Sequence, residues 1–271
     1  MPNTLCVAFS KVSVDTWHRI AEGRDLYWLG EETLTDLLMR DLLRLRPPGF
    51  NIQAFHKKQE RSNGADWEWW FQGSCGYWIG MRVQAKVIHQ DGYKFRELHR
   101  SYKDKENNIT SYQSNNLILS AKDRYFPLVP IYCLYSHWLD STYNKMLPAW
   151  VSHLDSQNFG CSIIMATTVR DLRIATLPGK AHKCGLKDTL GYSIPLAGLV
   201  CSPFAASGSI AERVRSVLEL GSEYLLPSPP AYVAALMAGQ DKQSLTGANT
   251  LDIEIDLPTG IVGLLGIQQA Q

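Results

Sequence analysis

An acid on one strand facing an amide and a lysine on the next is the arrangement in this sequence best suited to chemistry. Asp66 stands in Gly64-Ala65-Asp66-Trp67-Glu68-Trp69-Trp70, and Gln84-Ala85-Lys86 follows it closely in the chain. Carboxylates hold Mg²⁺ through hard oxygen ligands, the metal neutralises charge developing on a phosphate, and a lysine ammonium orients or acidifies the attacking water. The combination points to hydrolysis of phosphodiester bonds.

Such side chains must share a face, and the local pattern predicts that they do. Ala65, Trp67, Trp69 and Phe71, then Met81, Val83, Ala85 and Val87, alternate with mostly polar residues, the period of strands lying on a core. Gly73-Ser74-Cys75-Gly76 between them supplies glycines for a tight reversal. A turn centred on Cys75 sets Asp66 against Gln84; one centred on Gly76 sets it against Lys86. A slip by one residue would bury Lys86 beneath tryptophans without a partner, so both permitted registers gather Asp66, Glu68, Gln84 and Lys86 on one face.

The elements around this hairpin form an ordered series. Glu31 to Arg46 is a predicted helix with a leucine stripe, stopped by Pro47-Pro48-Gly49. Phe50 to His56 reads as a first strand, Ser111 to Lys122 as a second helix and Leu128 to Tyr135 as a buried strand. The order is helix, three strands, helix, strand. Further on, Cys161 to Val169 reads as another strand, and Ser209 to Leu220 as a helix capped by Ser209 with Glu212. Pro227-Ser228-Pro229-Pro230 marks a break, Gly239 to Thr250 a mobile loop, and Leu251 to Ile267 an edge strand. Residues 1–225 are expected to form one α/β domain, and 226–271 an extension packed on it.

Composition narrows the class. The chain has 271 residues, 45% of them hydrophobic, enough for a substantial core. No apolar run is long enough to span a membrane, and the N-terminus lacks the pattern of a secretory signal, so a cytoplasmic location is the expectation. Cys6, Cys75, Cys133, Cys161, Cys184 and Cys201 contain no Cys-x-x-Cys pair and are expected to be reduced. A net charge of +1 gives no global field for nucleic acid. Locally, the segment from Arg82 to Lys105 is distinctly basic, either a solvated loop or a phosphate-binding surface. Lys180, His182, Lys183 and Lys187 read as a solvated loop, and His137 and His153 as structural or exposed. Gly-x-x-x-x-Gly-Lys-Ser/Thr, His-Glu-x-x-His and Gly-x-Ser-x-Gly are absent from the sequence, which removes the ATPase, zincin and α/β-hydrolase readings.

Gly64-Ala65-Asp66 with Gln84-Ala85-Lys86 resembles the PD-(D/E)XK nuclease superfamily in its Gln-x-Lys variant, and the surrounding text resembles a group of uncharacterised small bacterial proteins of that type. The resemblance covers about Leu26 to Tyr135. It implies an α/β fold of the restriction-endonuclease-like kind, an αβββαβ core with a mixed central sheet flanked by helices. It implies a Mg²⁺- or Mn²⁺-dependent nuclease on DNA, in restriction or in defence against foreign DNA. Asp66, Glu68, Gln84 and the Ala85 carbonyl would serve the metal, Lys86 the water, and an acid of the first helix would support them. Glu32 stands where that acid is expected, although helical phase places Glu31 nearer the leucine stripe; Glu32 is preferred slightly and both are kept.

Departures from the superfamily pattern leave alternatives open. Gln84 in place of a second acid removes a charge that Glu68 would restore; equally, Glu68 would serve as a surface partner for Arg82 across the hairpin. Trp70, on the polar face, is the tryptophan placed to contact substrate, with Arg82 and Gln113 as further substrate-binding candidates. Partners compatible with the reading are nucleic acid, a second copy of the chain and a protein activator. The competing class is a non-catalytic module of the same fold that binds nucleic acid or protein, Asp66 and Lys86 then persisting as a structural salt bridge.

Overall fold

The structure, a computed structural model, describes residues 4–45, 47, 50–54, 65–103, 110–122, 126–151, 153–175, 182–201, 209–238 and 263–268. Two helices open the chain, α1 (Thr4–Leu26) and α2 (Glu31–Leu45), followed by β1 (Phe50–Ala54) and the hairpin β2 (Trp67–Gln72) and β3 (Trp78–Val87). A small ribbon, β4 (Ser101–Lys103) and β5 (Thr110–Tyr112), leads into α3 (Gln113–Lys122), β6 (Val129–Tyr135) and β7 (Cys161–Met165). The remainder comprises α4 (Ala166–Ile174), α5 (Leu186–Thr189), β8 (Ile194–Pro195), α6 (Gly198–Cys201), α7 (Ile210–Val217), α8 (Ala231–Met237) and β9 (Gly263–Gln268). The fold is α/β: a mixed seven-stranded sheet in the order β1-β9-β2-β3-β6-β7-β8, flanked by helices.

The hairpin adopts the register centred on Cys75, with Glu68 opposite Arg82 and Trp67 opposite Val83. Gly76 turns the chain at φ 85°, a left-handed conformation that a glycine takes without strain. Odd-numbered side chains of the hairpin, among them Trp69, Phe71, Met81 and Val83, join the main core with Phe9 and Val12 of α1, Leu34 and Leu38 of α2, and Val214 of α7. On the even face Trp70 lies over its partner Gly80, where an added Cβ would come within 2.6 Å of the indole ring. A second cluster of Trp78, Ala121, Leu128, Leu226, Tyr232 and Val233 covers that indole.

Several expectations are corrected. The strand predicted over Cys161 to Val169 ends at Met165, where α4 begins. The C-terminal strand is not an edge: β9 lies between β1 and β2, antiparallel to the first and parallel to the second. Its predicted start at Leu251, and the loop Gly239 to Thr250, lie outside the described residues, as do Phe55 and His56 at the end of the first strand. Helix α1 was not foreseen, although Leu5, Ala8, Phe9, Val12, Thr16, Trp17 and Ile20 bury one helical stripe. Gly160 lets α1 sit directly on the turn before β7, since a Cβ there would clash with the Ser13 carbonyl. Cys6 of α1 and Cys201 of α6 form a disulfide, contrary to the expectation that all six cysteines are reduced. Among the described residues no helix is long and apolar enough to cross a membrane.

Candidate functional site

The parallel pairing of β3 with β6 and the antiparallel pairing of β2 with β3 carry Asp66, Gln84 and Tyr132 onto one face of three adjacent strands. Asp66 sits just before β2, its own N–H donating to the Val83 carbonyl at 2.8 Å. Its Oδ2 accepts from the Ala85 N–H at 2.8 Å and from Gln84 Nε2 at 2.7 Å. Gln84 Oε1 in turn accepts from Gln113 Nε2 at 2.7 Å, so the first residue of α3 fixes the amide plane. Asp66, partly exposed, opens this chain of buried amides to the surface.

Lys86, two residues further along β3, is 1% exposed and donates to Glu31 Oε2 at 3.2 Å. Glu31 is the first residue of α2, whose axis and leucine stripe bring it to the end of β3. Glu32 is exposed, and the acid of this helix that reaches Lys86 is Glu31, not the slightly preferred Glu32. Its position follows from the helical phase that places Glu31 beside the buried Leu34 and Leu38.

Tyr132 and Tyr102 complete the surroundings. Burial first, then Tyr102, Asp66 and Glu31, raise the Tyr132 phenol well above its ordinary value. Burial likewise raises Tyr102, opposed by Arg100 and reinforced by Asp66 and Glu31. Both phenols therefore remain protonated donors. On the rim, Arg100 lies over the Tyr102 ring at 5.4 Å and Arg173 over Tyr112 at 3.7 Å. The segments around Lys94 and Gly185 bridge each other, and His99 Nε2 lies 2.8 Å from the Lys183 carbonyl. Two basic stretches remote in sequence thus become one surface; Lys105 and Lys180 lie outside the described residues.

Residues 5–257 match the model of DUF6615, a family of unknown function. The chain belongs to that family. No curated protein and no solved structure matches it. The span shared with DUF6615 contains Glu31, Asp66, Gln84, Lys86, Gln113 and Tyr132 and ends before β9.

Three of the candidates in this DUF6615 chain have structural tasks instead. Glu68 is fully buried: Oε1 takes a salt bridge from Arg82 at 2.8 Å, and Oε2 accepts from Trp70 Nε1 at 3.2 Å and from the Tyr232 hydroxyl at 2.6 Å. The partnership with Arg82 is therefore a buried one, not a surface one, and both carboxylate oxygens are committed to it and to the core. Arg82, 2% exposed, also donates to the Ser120 carbonyl at 2.8 Å, and Trp70 has no exposed surface. Both are engaged with Glu68 and packed under neighbouring elements, so they serve the core, which corrects both assignments. Sequence periodicity placed all three on the polar face correctly; part of the cover came from Tyr232 of α8, 164 residues beyond Glu68 in the chain.

Among the described residues no group of three or more His, Cys, Asp or Glu side chains could hold a metal ion. A mixed oxygen set does converge. Gln84 Nε2 stands 2.7 Å from Asp66 Oδ2 and 3.2 Å from the Ala85 carbonyl oxygen. Which amide atom is oxygen is decided by the surrounding hydrogen bonds. Turning the Gln84 and Gln113 amides over together would put three oxygens at this point, with Gln84 Nε2 then donating to Gln113 Oε1. Carboxylate, amide and backbone carbonyl oxygens are the donors of a hard divalent cation, and on that ground the residues fit one.

Proposed function

We propose that this chain is a divalent-metal-dependent phosphodiesterase acting on nucleic acid, DNA foremost. The observation that carries the reading is the joint placement of Asp66, Gln84, Lys86 and Glu31 at the end of a parallel strand pair, with the lysine buried and the carboxylates open to the surface. The chain order α2, β1, β2, β3, α3, β6, with β3 and β6 parallel, supports a restriction-endonuclease-like core; β9, lodged between β1 and β2, is this chain's departure from that plan.

In this scheme Asp66, Gln84 and the Ala85 carbonyl hold Mg²⁺ or Mn²⁺, which when bound supplies charge neutralisation at the phosphate and a lowered water pKa. Gln113 holds the Gln84 amide in plane. The Lys86 ammonium donates to the attacking water or to a phosphate oxygen, and Glu31 keeps that ammonium aimed at the surface. Water adds to phosphorus as Glu31 accepts its proton, the ester P–O bond breaks, and the departing alkoxide takes a proton from solvent water. The rim arginines and tyrosines are suited to phosphates and bases.

A second reading has its own support. Asp66 is already satisfied by Gln84 and Ala85, and Lys86 by Glu31, so the same residues serve a binding module with no reaction to perform. Cleavage of supercoiled plasmid, single-stranded DNA and single-stranded RNA with Mg²⁺ or Mn²⁺ decides between them. The phosphodiesterase reading expects metal-dependent cleavage lost in Asp66→Ala and Lys86→Ala; equal background in all three proteins would overturn it and leave the binding module.

A further inference from the structure

Buried tyrosines elsewhere in the described structure have hydrogen-bond partners: Tyr135 pairs with Thr35 at 2.7 Å and Tyr232 donates to Glu68 at 2.6 Å. Tyr132 does not. It is 0% exposed, yet among the described residues its hydroxyl has no partner. Leaving such a group unpaired away from water costs about 1–3 kcal/mol, so an orphan at a site calls for a ligand that completes it.

Its position says which ligand. Tyr132 is the β6 residue registered with Gln84, hence on the face that carries Asp66. Asp66, Glu31, Tyr102 and Arg173 are the charged and titratable groups near enough to act on it. The two carboxylates and its burial keep the phenol protonated, so it offers a hydrogen and not a nucleophilic oxygen. An acceptor is the partner that would use this hydrogen. Arg173 on α4 and Lys86, diagonally across on β3, are the cations set against these two carboxylates when a substrate brings an anionic oxygen.

We infer that the Tyr132 hydroxyl is a substrate-binding donor that takes a non-bridging phosphate oxygen of the nucleic acid at the Asp66–Lys86 centre. The inference rests on the phosphodiesterase reading for the identity of the substrate, but the phosphate contact is testable without turnover. A hydrogen bond to a charged oxygen is worth about 1.5–3 kcal/mol, or roughly 10- to 100-fold in affinity.

The test compares the full-length chain with Tyr132→Phe, which removes only the hydroxyl. Binding of a fluorescent single-stranded 15-mer of thymidylate is read by anisotropy with Ca²⁺, cleavage of the same oligonucleotide with Mn²⁺, and the unfolding midpoint with neither. The expected result is a roughly 10- to 100-fold weaker Kd for Tyr132→Phe with an unfolding midpoint no lower than wild type. Equal affinities, a midpoint that falls together with the affinity, or no binding by wild type would overturn the inference. Tyr132-dependent binding without cleavage by wild type under Mn²⁺ would sink the phosphodiesterase reading and leave the phosphate site standing.

Discussion

Lys86 Nζ meets Glu31 Oε2 at 3.2 Å, and the two partners differ sharply in burial: the lysine side chain is 1% exposed and the glutamate 27%. The pair joins the middle of the sheet to the first turn of α2. An ammonium drawn out of water needs its partner more than a half-open carboxylate does.

The substitutions should therefore be unequal. Lys86→Met removes the buried charge and keeps the stem's volume, so stability should hold or rise, and on the phosphodiesterase proposal metal-dependent cleavage should be lost. Glu31→Ala leaves the ammonium unpaired and should cost about 2 kcal/mol, less than the 3–5 kcal/mol of a fully buried pair because water reaches the glutamate. Urea unfolding of both variants measures this; equal losses would contradict it.

Glu68 and Arg82 form the deeper pair, at 0% and 2% exposure. Glu68→Ala should destabilise the protein by about 3–5 kcal/mol by stranding Arg82, and Glu68→Leu with Arg82→Met should recover most of that. Because Glu68 is held by Arg82, Trp70 and Tyr232, calorimetric Mn²⁺ titration of the double variant should match wild type. A lost Mn²⁺ signal would return Glu68 to the metal site.

His137 packs edge-on against Trp17 with Arg24 beside its Nδ1. Burial, then Arg24 and His18, push the imidazole down to about 4 from an ordinary 6.5. In that window the unfolded chain binds the proton and the folded chain does not, so stability falls as pH drops from 6.5 to 4 and this group adds nothing further below. The loss should be on the order of 2 kcal/mol after discounting for solvent screening. Unfolding midpoints of wild type and His137→Gln across this range should show a shallower slope in the variant.

The Cys6–Cys201 bond closes a separation of 195 residues. Cross-linking so long a loop restricts the unfolded chain, by about 5 kcal/mol at most in the chain-entropy account, and commonly delivers about 2–4 kcal/mol. Dithiothreitol should lower the unfolding midpoint of wild type and leave Cys6→Ser unchanged; thiol counting on the unfolded chain without reductant should find four free thiols, Cys75, Cys133, Cys161 and Cys184.

The hairpin was legible because its alternation admits few registers: a one-residue slip would set Lys86 among Trp67 and Trp69, and that cost is local. Helix α7 was legible for a similar reason, since Ser209 and Glu212 form a reciprocal cap within a single turn. Gln113, singled out as a polar helix residue, does reach Gln84, though nothing short of the packing of α3 on β3 and β6 could establish the contact.

Local pattern thus determined which residues share a face, because period two and period 3.6 are properties of the chain itself. Only the tertiary structure decided their employment. Helix α8 covered Glu68 and Trp70, β9 entered the sheet beside β2, α2 presented Glu31 instead of Glu32, and parallel pairing with β6 put Tyr132 in register with Gln84. Each of these depends on contacts between segments far apart in the chain, whose energies come from burial and charge pairing and leave no period in the sequence.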